Sequence, residues 1–188
     1  MAQQQQQQQQ GPRVFSPQAV HLVRTAIQSH LTLSQMADQK ASILLGATFV
    51  VFTLAVGQAS RGEVPLPLLV LTCFAFLSAV CAVMVVMPSI RPPSASEGAL
   101  EVERSNLLFF GVFTQLPEQE WTDLILDRLG SDETTFRTML RDVYQNGQVL
   151  QKKKYRYLGY AYRLFLAGLT ATLLTFLLAG SYDVTTLL

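Results

Sequence analysis

Three apolar runs without a charged residue frame the chain: Ala41 to Gly57, Pro65 to Met87 and Leu164 to Ala179. A helix needs roughly 20 apolar residues to cross a hydrocarbon core of about 30 Å. The first run, ASILLGATFVVFTLAVG at 41–57, sits at the short end of that range. Lys40 lengthens it by laying its methylenes along apolar surface while its ammonium stays in the interface. Gln58 to Val64, holding Arg61, Gly62 and Glu63, reads as a tight polar loop, so the first two spans (41–57 and 65–87) make a hairpin that Pro88 closes. The third span is drawn at 164–180, which leaves 181–188 as a tail. The expected fold is an all-α membrane protein with three transmembrane helices and a small helical segment between the second and third.

Outside the spans the pattern is polar but still helical. Residues 1–16 are a glutamine run closed by Gly11 and Pro12, a composition that buries no apolar surface and reads as a disordered tail. Ser16 and Pro17 are a start signal for an amphipathic helix over 17–40, with Val20, Val23, Ile27 and Leu31 at helical spacing. The segment 91–163 opens on a Pro/Ser linker, RPPSAS. Pro117 then starts a helix with Trp121, Leu124, Ile125 and Leu129 on one face. Gly130 breaks it, and Ser131 is the N-cap candidate for another helix carrying Phe136, Leu140, Val143, Gly147 and Leu150. That last helix either runs unbroken from Asp132 to Ala179, about 70 Å at 1.5 Å per residue, or breaks near Gly159.

Composition agrees with the pattern. Of 188 residues, 49% are hydrophobic and 14% charged, against about 25% charged in soluble domains, and the mean hydropathy is +0.27. The net charge of +1 favours no nucleic-acid partner, but its distribution is informative. Lys152, Lys153, Lys154, Arg156 and Arg163 precede the third span, Lys40 the first, and Arg91 follows the second, whereas the hairpin loop has only Arg61. The positive-inside bias therefore puts the N-terminus and 91–163 in the cytoplasm and the C-terminus outside. The same cluster also attracts anionic lipid, or lends side chains to a ligand.

Groups for catalysis are sparse. His21 and His30, the only histidines, fall on opposite faces of one helix and cannot share a metal. No phosphate loop, nucleophile elbow or HExxH occurs, and Cys73 and Cys81 lie in one apolar run as small fillers. Glu97, Glu101, Glu103, Glu118, Glu120, Asp123 and Asp127 read as solvated faces. The expectation is no enzyme, no metal and no cofactor. Each span does carry a stripe of small or weakly polar residues: Gln39, Ser42, Gly46, Thr53 and Gly57; Thr72, Ala75, Ala79 and Ala82; Gly168, Thr172, Thr175 and Ala179. Small residues let helices approach closely in lipid, within one protomer or between protomers of a homo-oligomer. Asp38 and Lys40, at the mouth of the first span, point in different directions, which leaves Asp38 to meet the basic cluster. The patch NLLFFG at 106–111, with Phe113 after it, is either the core of a small helical domain or a surface for stacking a base beside Arg104, Arg137, Arg141 or Lys154.

Three motifs in this order, ADQKAS at 37–42, NLLFFG at 106–111 and RDVYQNGQVLQKKKYRYLGYAY at 141–162, resemble the transmembrane effector family of the Pycsar antiphage system. The likeness runs from Ala37 to Gly168 and leaves out the glutamine tail and 91–130 apart from NLLFFG. It implies a multi-pass protein of the bacterial inner membrane that responds to a cyclic pyrimidine mononucleotide, cCMP or cUMP, made by a companion nucleotide cyclase, and impairs the membrane in abortive infection. The pattern falls on Asp38, Lys40, Asn106, Phe109, Phe110, Gly111, Asp142, Tyr144, Gly147, Lys154, Tyr155 and Arg156. From these and Arg141, the ligand-binding candidates are Asn106, Phe109, Phe110, Arg141, Asp142, Tyr144, Lys154, Tyr155 and Arg156, with Asp38 and Lys40 as gating candidates. Two other classes compete: a membrane anchor for a separately encoded nucleotide-signalling enzyme, and a constitutive channel subunit. The channel is disfavoured because no charge lies deep in a span.

Overall fold

The computed structural model describes residues 13–62, 64–87 and 106–185, with side chains as far as residue 178. The glutamine run, Glu63, Pro88, the RPPSAS linker with Arg91, the carboxylates Glu97, Glu101 and Glu103, Arg104, the Ala179 side chain and the end of the C-terminal tail lie outside the described residues. Every described element is helical: α1 Ala19–Ala59, α2 Leu66–Val86, α3 Phe110–Phe113, α4 Glu118–Arg128, α5 Asp132–Val149, a π turn Leu150–Tyr155, and α6 Arg156–Thr185. Among the described residues three helices are long and apolar enough to cross a membrane, Ala19–Ala59, Leu66–Val86 and Asp132–Leu178.

The start and stop signals act as their chemistry requires. Ser16 Oγ accepts the Gln18 N–H at 3.2 Å ahead of α1. The amphipathic stretch and the first span then form one helix of 41 residues, because Gly46 alone weakens a helix without breaking it. Gly62 turns the hairpin with a φ of 82°, a left-handed conformation cheap only for glycine. The 21 residues of α2 extend about 31 Å at 1.5 Å per residue, close to the thickness of a hydrocarbon core. Ser131 caps α5 by accepting the Thr134 N–H on its Oγ at 3.2 Å. From Asp132 the chain is helical without interruption to Thr185, past the drawn end of the third span. Gly159 lies inside α6, and the departure from α geometry falls instead at Leu150–Tyr155.

The chain divides into two compact units, Met1–Leu31 with Ser89–Gln148 and Thr32–Pro88 with Val149–Leu188. The second holds the apolar spans. Its core joins Ala37, Ala41 and Leu44 of α1, Ala82 and Val85 of α2, and Leu158 and Ala161 of α6. Ser78 of α2 is fully buried and donates to the Ala161 carbonyl at 2.8 Å. Gly168 lies so close to α2 that a Cβ there would stand 2.5 Å from Phe74 Cβ. The α2 and α6 stripes thus pack inside the protomer, led by Ala75, Ala82 and Gly168.

The first stripe does not. Gln39, Ser42, Gly46, Thr53 and Gly57 are exposed, and nothing lies within 4 Å of a Cβ at Gly46 or Gly57. The buried face of α1 is Ala37, Ala41, Leu44, Thr48 and Val51. Small residues permit close approach but do not attract, and this face brings two alanines for contact together with larger chains to pack.

In the other unit three expected inward positions turn outward: Leu31, Leu129 and Leu140 are exposed. His30 replaces Leu31, its ring edge 3.3 Å from where a Gly147 Cβ would stand. Leu129 is the C-cap residue of α4, past the last turn that has a fixed face. Leu140 yields because α5 turns its polar Asp142 and Asn146 inward. Phe15 and Phe136 stack at 4.7 Å between ring centroids, tilted by 42°.

Candidate functional site

The polar unit is organised around Asn106, which is only 2% exposed. Its Oδ1 accepts the Leu108 N–H at 3.0 Å, and its Nδ2 donates to Asp142 Oδ1 at 2.7 Å. One amide thus shapes the turn ahead of α3 and ties it to α5. Asn146, one helical turn beyond Asp142, donates to the same oxygen at 3.0 Å. The Trp121 indole N–H of α4 fixes the turn from another side through the Leu107 carbonyl at 2.9 Å, and its ring meets Phe113 at 5.3 Å. A charge-assisted pair with two amide donors is about twice as strong as a neutral hydrogen bond.

The aromatic patch divides by position. Leu107 is buried and serves as core. The Phe109 ring lies over Gly111, where a Cβ would come within 2.6 Å of it, and tilts against Phe110 with centroids 4.8 Å apart. Phe110 is 53% exposed and Tyr144 68%. Arg141 is half-buried on α5. Arg137 is engaged with Glu133, its Nη2 2.6 Å from Oε1. The guanidinium holds the Glu133 carboxyl below the usual carboxylate range, chiefly through this hydrogen bond.

The remaining candidates fall in the span unit. Lys154 Nζ, on a side chain 19% exposed, donates to Asp38 Oδ1 at 2.7 Å, Asp38 Oδ2 at 2.6 Å and Ser34 Oγ at 2.8 Å. An ammonium has three N–H donors, and all three have an acceptor here. Asp38 therefore meets the basic cluster, while Lys154 is already satisfied by protein oxygens. Tyr155 and Tyr162 make long contacts, 3.4 Å each, from their hydroxyls to the Leu33 and Lys40 carbonyls. Lys40 takes part through its backbone, and its side chain is exposed. Arg156 donates from Nε to the Tyr160 hydroxyl at 3.3 Å, with its guanidinium 5.8 Å from that ring's centroid.

The candidates thus form two clusters: Asn106, Phe109, Phe110 and Asp142, with Arg141 and Tyr144 in the same unit, and Asp38 with Lys154, Tyr155 and Arg156 in the other. Sequence reasoning passed over Ser34, Asn146 and the anchoring role of Trp121. The first two stand four residues from Asp38 and Asp142, the spacing at which helical side chains meet, and that spacing is the signal that could have found them.

These features define a helical, multi-pass membrane protein with a polar helical unit attached. The family described as the Pycsar effector protein domain matches residues 21–180. The chain belongs to that family and is, by that membership, a membrane effector of antiphage defence. No curated protein and no solved structure matches it.

Proposed function

We propose that this effector is switched on by a cyclic pyrimidine mononucleotide, cCMP or cUMP, supplied by a companion nucleotide cyclase, and that the switched state impairs the bacterial inner membrane and aborts infection. The polar unit is the receptor. It lies in the cytoplasm with the N-terminus, as the basic residues flanking the spans favour, and the C-terminus is outside. The observation that carries this reading is the pair of exposed rings, Phe110 and Tyr144, in the unit whose turn is pinned by Asn106 and Asp142. A ring held by a fixed turn, as Phe110 is, or by a helix, as Tyr144 is, stacks a base at low entropic cost, and stacking is worth about 1–3 kcal/mol per base. Arg141 of the same unit is the cation assigned to the cyclic phosphate. Lys154, already saturated by Asp38 and Ser34, is assigned to gating. Copies of the chain assemble in the bilayer, because three spans are too few to enclose a pore.

Calorimetry on the purified full chain with cCMP, cUMP, cAMP and cGMP tests the reading. One pyrimidine nucleotide should bind, and Phe110→Ala should weaken it about tenfold. Failure of all four to bind would refute ligand gating.

A further inference from the structure

The last helix departs from α geometry at its lysine run. Leu150–Tyr155 winds as a π helix, a form that is rare and gathers at functional positions. Its consequence here is one of direction. Lys153 and Lys154 are neighbours, yet they serve different helices. Lys153 Nζ donates to the Met87 carbonyl at 2.7 Å, just past the end of α2, where carbonyls have no intrahelical partner. Lys154 reaches α1, gripping both oxygens of Asp38 and the Ser34 hydroxyl. One wide turn therefore fastens the helix of the third span to the other two.

We propose that this π turn is a latch that holds α1 against α6 in the silent effector, and that it opens by returning to α geometry. When the turn tightens, residues upstream of Tyr155 rotate about the helix axis. Lys154 rotates least and Leu150 most, up to the angle of one residue, on the order of 100°. Lys153 is turned away from the Met87 carbonyl, and the smaller turn of Lys154 breaks its three-acceptor grip on Asp38 and Ser34, which weakens the hold on the Asp38 carboxylate. α5 enters the turn without a break. The proposal rests on the reading of the chain as a switched effector, but not on which ligand switches it.

Crosslinking reads the latch without reference to nucleotide or leakage. In a full chain with Cys73 and Cys81 changed to Ala, Lys40→Cys and Tyr162→Cys place thiols where α1 and α6 touch, and a short bismaleimide joins them in liposomes. Adding Asp38→Asn should lower the crosslinked yield about fivefold, as loss of a partly exposed ion pair implies. Exchanging the charges, Asp38→Lys with Lys154→Asp, should restore it. Deleting the exposed Gln151 removes the extra residue of the turn and should lower the yield as Asp38→Asn does. Should Asp38→Asn not insert, Ser34→Ala carries the same comparison at smaller amplitude.

An unchanged yield in Asp38→Asn overturns the latch, as does a charge exchange that restores nothing. A Gln151 deletion that crosslinks like the parent overturns the role of the π geometry. Dye leakage measured in parallel separates the two readings. Lower crosslinking without leakage leaves the latch standing and removes membrane impairment, and a wild type indifferent to cCMP and cUMP removes only the ligand.

Discussion

The two units of this protein are held together by opposite means. In the span unit most of the fully covered residues are small: Ala37, Ala41, Ala75, Ala82, Ala161 and Ser78, with Val85 and Thr48 the larger side chains among them. Lipid tails are as apolar as leucine, so burying large side chains gains little in a bilayer, and close contact between helix backbones gains more. Among the described residues of the polar unit the buried ones are Val23, Asn106, Leu107 and Gly111, and the ties that stand out are hydrogen bonds: Asn106 to Asp142, Asn146 to Asp142, and Trp121 to the Leu107 carbonyl. A region with few buried apolar contacts opens at low free-energy cost. The difference suits the proposed switch, in which the polar unit takes the ligand and the spans keep their form until they are driven.

That contrast can be broken most severely at Gly168. Gly168→Leu forces a side chain into Phe74 and should destabilise the span unit by about 3 kcal/mol, the upper end for overpacking. A matched Gly46→Leu, on the open face of α1, should be close to neutral in thermal melts of detergent-solubilised protein. Equal losses at the two glycines would mean that close packing is not what holds the spans.

Next in size is Asn106→Ala. It removes one of the two amide donors to Asp142 and the acceptor for the Leu108 N–H, at a cost of about 2 kcal/mol. Limited proteolysis should show faster cleavage within 106–148, with the Gly168-dependent melt unchanged. A change in that melt would show that the two kinds of cohesion are not separable. Ser78→Ala should cost only about 0.6 kcal/mol, the mean found for side-chain hydrogen bonds between helices in lipid, and a loss several times larger would mean that polar contact rather than close approach dominates the spans.

The smallest effect concerns Glu133, and it is confined to acid. Its folded pKa is lowered by Arg137, so its contribution to stability is fully present above the ordinary carboxylate value and disappears as pH falls through the lowered one. Stability measured below the lowered value should therefore be alike for wild type and Glu133→Gln, with the wild type favoured increasingly as pH rises to the usual carboxylate value. A gap that widens in acid would reverse the assignment.

Much of the architecture was legible along the chain because its causes are local. The length of an uncharged run decides whether a helix can cross lipid, so three spans followed from composition alone. Ser16 and Ser131 marked helix starts because the first N–H groups of a helix need acceptors nearby in sequence. The participants in the two clusters were also within reach, since ADQKAS and NLLFFG bring Asp38 and Asn106 into view. Which oxygen meets which nitrogen was not. The exposure of Gly46 depended on α1 presenting Leu44 and Val51 inward, a choice settled by the shapes of α2 and α6. The acceptors of Lys153 and Lys154 lie on different helices, and periodicity within one segment carries no information about such partners. The sequence by itself determined the segments and their residues. The tertiary structure decided their facing and pairing, because burial and hydrogen bonding are properties of surfaces that meet only after the chain has folded.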